Sequence, residues 1–285
     1  ITYKTYSYRW VVLAVFMAIN LTIQILWICF APITGLAAQF YGVDDLKIGF
    51  LAMTFMIVYV PLSIPVSWMI DTLGFRKSVS IGAVLMGVFG VLRGLVGANY
   101  TVVLICTVGI AAAQPFMLNA VSTVAAKWFP IQERATASGL ALVAGFIGIA
   151  IGQVVSPLLI EQLGIPGMLL LYGGIAAASS VVFLIFTRET PPTPPCPEGQ
   201  ETRALMLSGL KNMLKMREIW FLLFIFLVGM GVFNGVSTWI EGILRPKGFT
   251  PAQAGDMGGF LLIGGIIGAI VIPALSDRFR MRKGF

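Results

Sequence analysis

Three polar constellations set inside apolar runs carry the chemistry of this sequence. Asn20, Gln24, Trp27 and Ala31 recur at i, i+4, i+7 and i+11, a single helical face. Asn234, Ser237, Thr238 and Glu241 recur at i, i+3, i+4 and i+7, again one face. Gln114 stands directly before Pro115, whose missing N–H weakens the local backbone ladder. Apart from the Glu241 carboxylate, the polar groups are amides, hydroxyls and an indole, which bind a small solute without reacting with it. The chain contains no histidine, which removes His-based zinc sites, Ser-His-Asp and Cys-His nucleophiles, and HExxH metalloproteases. No enzyme activity, metal or cofactor is expected.

The elements that position these residues follow from composition. Of 285 residues, 58% are hydrophobic and 11% charged, with mean hydropathy +0.93. Soluble domains average about 45–50% apolar and about 25% charged, so the reading is an all-α polytopic membrane protein. A spanning helix needs about 20 apolar residues. Eight segments qualify: 10–36, 48–70, 78–98, 101–127, 135–160, 167–187, 219–243 and 256–275. At about 1.5 Å per residue, Trp27, Gln114 and Asn234 sit roughly 21–26 Å above the inner ends of their spans. They share one level.

Between spans six and seven, Thr190-Pro-Pro-Thr-Pro-Pro-Cys-Pro-Glu-Gly199 is a stiff polyproline-type linker. After it, Met206, Leu210, Met213 and Leu214 share one face of residues 201–217, which suits a helix lying on the membrane surface or a short solvated one. The expected organisation is 1–189, the linker 190–217, and 218–285. With the N-terminus inside, fifteen Lys and Arg residues fall on the inner side, against Lys47, Arg93, Arg245 and Lys247 outside. That asymmetry places both chain ends in the cytoplasm of a cell-membrane protein. The net charge of +7 is therefore orientation charge beside the bilayer, and no nucleic-acid partner is expected.

An internal repeat is present. Asp71-Thr-Leu-Gly-Phe-Arg76-Lys77 after span two and Asp277-Arg-Phe-Arg-Met-Arg282-Lys283 after span eight share their spacing at an offset of 206 residues. Two such loops, each after the second helix of a unit, indicate parallel repeats. Subtracting the offset puts Asn234 opposite Ile28 and Phe233 opposite Trp27. The loop Ser67-x3-Asp71-x2-Gly74-Phe75-Arg76-Lys77 resembles the signature of the major facilitator superfamily, with Ser67 and Phe75 as departures. The resemblance implies six plus six helices. Eight of an expected twelve are here, and the chain begins at Ile1, so it reads as a fragment. Small-residue stripes at Ala144, Gly148, Gly152 and Ser156 in span five and at Gly264 and Gly268 in span eight allow close helix approach. By the resemblance, helices five and eight meet between the halves.

The runs Gln24-Ile-Leu-Trp27-Ile, Ala113-Gln114-Pro-Phe, Lys127-Trp-Phe-Pro-x-x-Glu-Arg134-Ala-Thr-Ala and Val236-Ser-Thr238 are similar to the feline leukaemia virus subgroup C receptor branch. Animal members transport choline, and a haem role has been attached to relatives. The resemblance implies a site with a Trp on helix one, a Gln on helix four and a Tyr on helix seven. Trp27 and Gln114 match; the Tyr position holds Asn234, which leaves an ammonium cage incomplete. The expected solute contacts are Trp27, Gln114, Asn234, Gln24, Asn20, Ser237 and Thr238. Asp71, Arg76, Lys77, Arg134 and Asp277 are read as an inner conformational latch. Glu241 is expected near the outer surface as a solvated carboxylate, and Arg93 is expected to snorkel outward. The function expected is a monomeric secondary transporter that moves a small polar or cationic organic solute by alternating access. A non-transporting receptor or sensor of the same fold is the alternative.

Overall fold

The computed structural model describes residues 5–195 and 215–279, with side chains in those ranges except at 269, 270 and 272–279. The helices are α1 (Tyr8–Ile28), α2 (Thr34–Tyr41), α3 (Asp45–Leu73), α4 (Phe75–Leu95), α5 (Tyr100–Leu118), α6 (Val121–Trp128), α7 (Arg134–Phe186), α8 (Arg217–Thr238), α9 (Ile240–Leu244) and α10 (Pro251–Phe279). Among the described residues, six helical stretches are long and apolar enough to cross a membrane. At 53 residues, α7 would be about 80 Å long if straight, against a hydrocarbon core of about 30 Å. Gly164, at φ 67 and ψ 176, interrupts it two residues before Pro166. Ser156 and Tyr172, equidistant from that glycine, hydrogen-bond across the turn at 3.0 Å. The chain therefore folds back there, and α7 supplies spans five and six.

Three further spans are broken, and two of the breaks are not legible in the apolar pattern. Span one stops at Ile28 and resumes as α2; span seven stops at Thr238 and resumes as α9. Ile33 (φ −128, ψ 23) and Trp239 (φ −103, ψ 17) hold nearly the same non-helical backbone. These two positions are separated by the same 206 residues as the loop repeat. In span four the interruption falls at Asn119 and Ala120, while Pro115 stays inside α5.

A broken helix frees carbonyls that lipid cannot satisfy. At the first break, the Leu26 carbonyl accepts from Arg93 Nη1 at 3.1 Å. At the other, the Ser237 carbonyl accepts from Gln153 Nε2 at 2.8 Å. The first pairing overturns the snorkelling expected of Arg93. Its side chain is 1% exposed, and its guanidinium lies 5.6 Å from the Phe30 ring centroid and 3.6 Å from Cys29 Sγ. The negative end of the α1 dipole, together with that carbonyl, holds the cation inward.

Span one runs through the centre of the first six crossings, packed along span five. The span-five stripe faces this neighbour: a Cβ on Gly148 would sit 2.2 Å from the Leu21 carbonyl oxygen, and one on Gly152 would sit 2.5 Å from Ile28 Cγ2. Span five meets span eight on a different face, where Gly255 crosses the Gln153 backbone and Gly259 crosses Val154. A Cβ on Gly264 would meet nothing within 4 Å among the described residues. The surface-helix reading of residues 201–217 falls largely on residues 196–214, outside the described ones. Gly148→Ala should lower thermal stability in detergent by about 1–3 kcal/mol, the cost of forcing an added methyl into a closed backbone contact. Gly264→Ala should leave the unfolding transition where it is.

Candidate functional site

A cavity of about 400 Å³ lies between spans one, two, four, five and seven, within the size range of small-molecule sites. Five of the seven residues expected to contact solute line it: Asn20, Gln24, Trp27, Gln114 and Asn234. The remainder of the wall is Met56, Tyr59 and Leu118, the span-five face from Ala141 to Ile149, and Phe226, Met230 and Phe233 of span seven. Among the described residues, no Asp, Glu, Lys or Arg lines it.

The polar groups are positioned by what they already bond. Trp27 donates its indole N–H to the Ala52 carbonyl at 3.2 Å, which fixes the ring against span two. Asn20 donates one amide N–H back to the Phe16 carbonyl at 3.0 Å, which leaves its oxygen as an acceptor. Gln24 is 8% exposed, and its Oε1 has no partner among the described residues. Gln114 is 2% exposed, and no hydrogen bond joins its amide to another described residue. A buried amide oxygen without a partner, as at Gln24, is costly, and the unbonded Gln114 amide is free to pair with a ligand that carries donors or acceptors.

Tyr59 is a wall residue that the polar constellations of the sequence do not include. Its hydroxyl donates to Asn119 Oδ1 at 2.7 Å. The Asn119 amide in turn donates to Ser67 Oγ at 2.9 Å, and to Ser63 Oγ at 3.2 Å and its carbonyl at 3.0 Å. This network ties the break in span four to span two. Tyr59, Ser63 and Ser67 lie at i, i+4 and i+8, and that polar stripe in an apolar span is the available signal. Phe146, Phe226, Met230 and Met56 carry no signal, because apolar residues in an apolar span look alike.

Ser237 and Thr238 are not on the cavity wall. Both are buried where span seven breaks, Ser237 beneath the Gln153 amide. Glu241 is 3% exposed, not solvated: it accepts the Gly35 N–H at 3.2 Å, with Arg245 Nη1 3.7 Å from its other oxygen.

At the opposite, linker end, Arg76 of the expected latch residues meets another carboxylate, that of Glu189, through its backbone N–H. Glu189 accepts the Arg76 N–H at 2.7 Å and the Phe75 N–H at 3.1 Å, and it pairs with Lys127. It thus occupies the positive N-terminus of α4. Asp71 and Lys77 are exposed and form no ion pair among the described residues. Arg134 donates to the Phe129 and Ala126 carbonyls at 3.2 and 3.0 Å, closing the end of α6. The side chain of Asp277 lies outside the described set.

Known proteins share this architecture. The family profile described as Major Facilitator Superfamily matches residues 11–284. Solute carrier family 49 member A3 of Danio rerio is 32% identical over 97% of this chain and 60% of its own length. The rat (Rattus norvegicus) Choline/ethanolamine transporter FLVCR2 is 29% identical over 98% of this chain and 54% of its own length. The chain thus spans somewhat over half the length of these relatives. A bacterial homologue of the human lysosomal transporter Spinster, solved in an inward-facing and unoccupied conformation, superposes with TM-score 0.79 at 18% identity. That overlap covers 97% of this chain and 64% of that one. A D-xylose-proton symporter gives 0.63 at 16% identity over 95% and 70%.

Tyr59→Phe keeps the ring in the cavity wall and removes one half-buried hydrogen bond. It should lower stability by about 1 kcal/mol in a thermal melt. Asn119→Ala leaves Tyr59 and the serines unpartnered together, and should cost more.

Proposed function

This chain belongs to the major facilitator superfamily, and we propose that it is a secondary transporter moving a small polar or cationic organic solute by alternating access. The observation that carries this reading is the convergence of Asn20, Gln24, Trp27, Gln114 and Asn234, from three spans, on one cavity that no charged side chain lines among the described residues. Such a wall suits a neutral solute or a cation and is poor for an anion. A buried anion would have no positive partner there, whereas a cation has the faces of Trp27 and Tyr59 and the amide oxygens. The names of the choline/ethanolamine transporters among the relatives support the same class. Asn234 departs from the resemblance at the helix-seven position, so within the class a solute that donates hydrogen bonds is favoured over one bearing only methyl groups.

The excess of Lys and Arg at the linker end makes that end cytoplasmic in a cell-membrane protein. The first six spans and the later spans are then two halves joined by the linker, acting as a monomer. Glu189, with Lys127 and the Arg76 amide, anchors the cytoplasmic latch region. The far end is closed by contacts between span seven and spans one, two and five. Toward the linker, span seven is exposed from Arg217 to Val232 apart from the half-buried Ile219. In the proposed cycle, those far-end contacts belong to a conformation closed outward.

Uptake of labelled choline and ethanolamine into cells expressing the full-length protein, at two external pH values, tests this reading. Saturable uptake should fall about tenfold or more with Trp27→Ala, as expected for losing a desolvated aromatic contact, and Gln114→Ala should raise KM. Unchanged uptake by a well-expressed Trp27→Ala variant would remove the site. Binding without flux would convert the transporter into a receptor.

A further inference from the structure

One glycine of span five has no packing reason to be a glycine. Gly148 and Gly152 are closed against span one, where an added Cβ would meet the Leu21 carbonyl oxygen at 2.2 Å and Ile28 Cγ2 at 2.5 Å. Gly145, about one turn nearer the linker end, lines the cavity instead. A Cβ there would meet only Gln24, its Cγ at 3.6 Å and its Nε2 at 3.8 Å, both ordinary contacts. The backbone at Gly145 is helical and its φ is not positive, so the chain conformation does not require glycine either. Inside a helix, glycine is disfavoured relative to alanine. The missing methyl therefore adds nothing to the fold and keeps a notch open beside Gln24.

The groups around that notch are unmet. Gln24 is 8% exposed, its Oε1 is buried without a partner, and no hydrogen bond joins its amide to another described residue. One turn toward the linker end, Asn20 spends an amide N–H on the Phe16 carbonyl and keeps its oxygen as an acceptor. A carboxamide both donates and accepts, so its match is a group that does the same. A notch the size of one methyl group admits a hydroxyl and is too small for an amide. Trp27 stands three residues beyond Gln24 on the same face, about 4.5 Å further along the span at about 1.5 Å per residue. A two-carbon linker bridges that separation.

We propose that Gly145 and Gln24 form a hydroxyl subsite which, with Trp27 facing the cationic end, selects amino alcohols over amines of the same size. This deepens the transporter reading above and rests on it. Neither Gly145 nor Gln24 belongs to the Trp, Gln and Tyr set that the family resemblance implies. Gln24 supplies the hydrogen bonds and Gly145 supplies the room. An alanine at 145 would take the volume of the hydroxyl and cover Gln24 Nε2. A solute ending in methyl would fill the notch but leave the Gln24 amide buried and unpaired, which is the costly case.

Ethanolamine and propylamine, in which a methyl replaces the hydroxyl, separate these roles. Inhibition of labelled ethanolamine uptake by each amine is measured in cells expressing the full-length protein, and thermal melts of the purified full-length protein are recorded with and without each amine. The parent should bind ethanolamine about tenfold tighter than propylamine, the factor for one hydrogen bond whose loss leaves a buried group unmet. Gln24→Leu should remove that preference and leave propylamine binding as it was. Gly145→Ala should lower kcat/KM for ethanolamine about tenfold, as one methyl too many in a fitted pocket does. The same variant should raise the melting temperature of the solute-free protein, because alanine suits that helical backbone better. A glycine required by packing would instead lose stability and uptake together. A lower melting temperature for Gly145→Ala, or equal inhibition of the parent by the two amines, would overturn the subsite. A parent that neither takes up ethanolamine nor is stabilised by it would overturn it as well. Stabilisation by ethanolamine that Gln24→Leu abolishes, without uptake by the parent, would leave the subsite standing and remove transport. Saturable uptake that Trp27→Ala abolishes and Gly145→Ala leaves intact would do the reverse.

Discussion

Hydrocarbon supplies no hydrogen bonds, and that constraint orders much of this molecule. A helix that crosses lipid unbroken satisfies itself; a helix that breaks within the bilayer must find donors inside the protein. Spans one and seven both break, at Ile33 and Trp239, in nearly the same backbone conformation. Each break needs a partner from another helix, and the positions of those partners dictate the packing around them. Arg93 serves the first and Gln153 the second. Glycines at the crossing points allow the helices that bear or flank these partners to come close enough.

The two breaks are alike in backbone and unlike in anchorage. Arg93 belongs to span three, within the same six-span bundle as the carbonyl it serves, and it is wholly buried. Nothing about alternating access requires that bond to break. The result is a rigid first span that presents Trp27 with its indole N–H already committed to span two. Gln153 belongs to span five and reaches across to span seven. Its bond lies on the seam that must part. Repeat symmetry thus supplies two similar breaks, and the choice of partner ties one within the first six spans and the other between span five and span seven. Between them lies the cavity, with Asn20, Gln24 and Gln114 on the side of the first six spans and Phe233 and Asn234 on the side of span seven.

The eight crossings are legible in the sequence because a bilayer demands long apolar runs and loops demand something else. Even the turn at Gly164 falls within a predicted gap. The cavity face of span one is equally legible, since Asn20, Gln24 and Trp27 stand out against an apolar background. The helix breaks are not: Cys29, Phe30 and Trp239 are as apolar as their neighbours, and only the backbone angles distinguish them. Arg93 and Glu241 depart from expectation for a related reason. Distance from a span end predicts depth, and depth alone says nothing of whether a partner waits there. Arg93 finds the carbonyls of a broken helix, which no pattern in its own span announces. Glu189 shows the same limit, since it lies far in sequence from the helix terminus it caps.

A cavity wall without charged side chains among the described residues bears on how transport would be driven. A proton-coupled carrier keeps a titratable group where solute and proton can affect one another. Here the lining offers amides, hydroxyl and rings, so a proton bound at this level has no dedicated acceptor among the described residues. A cationic solute would enter without a counter-ion, held by π faces and amide dipoles whose attraction is modest individually. On that reasoning the membrane potential suffices to drive a cation inward, at about 2.3 kcal/mol per charge per 100 mV.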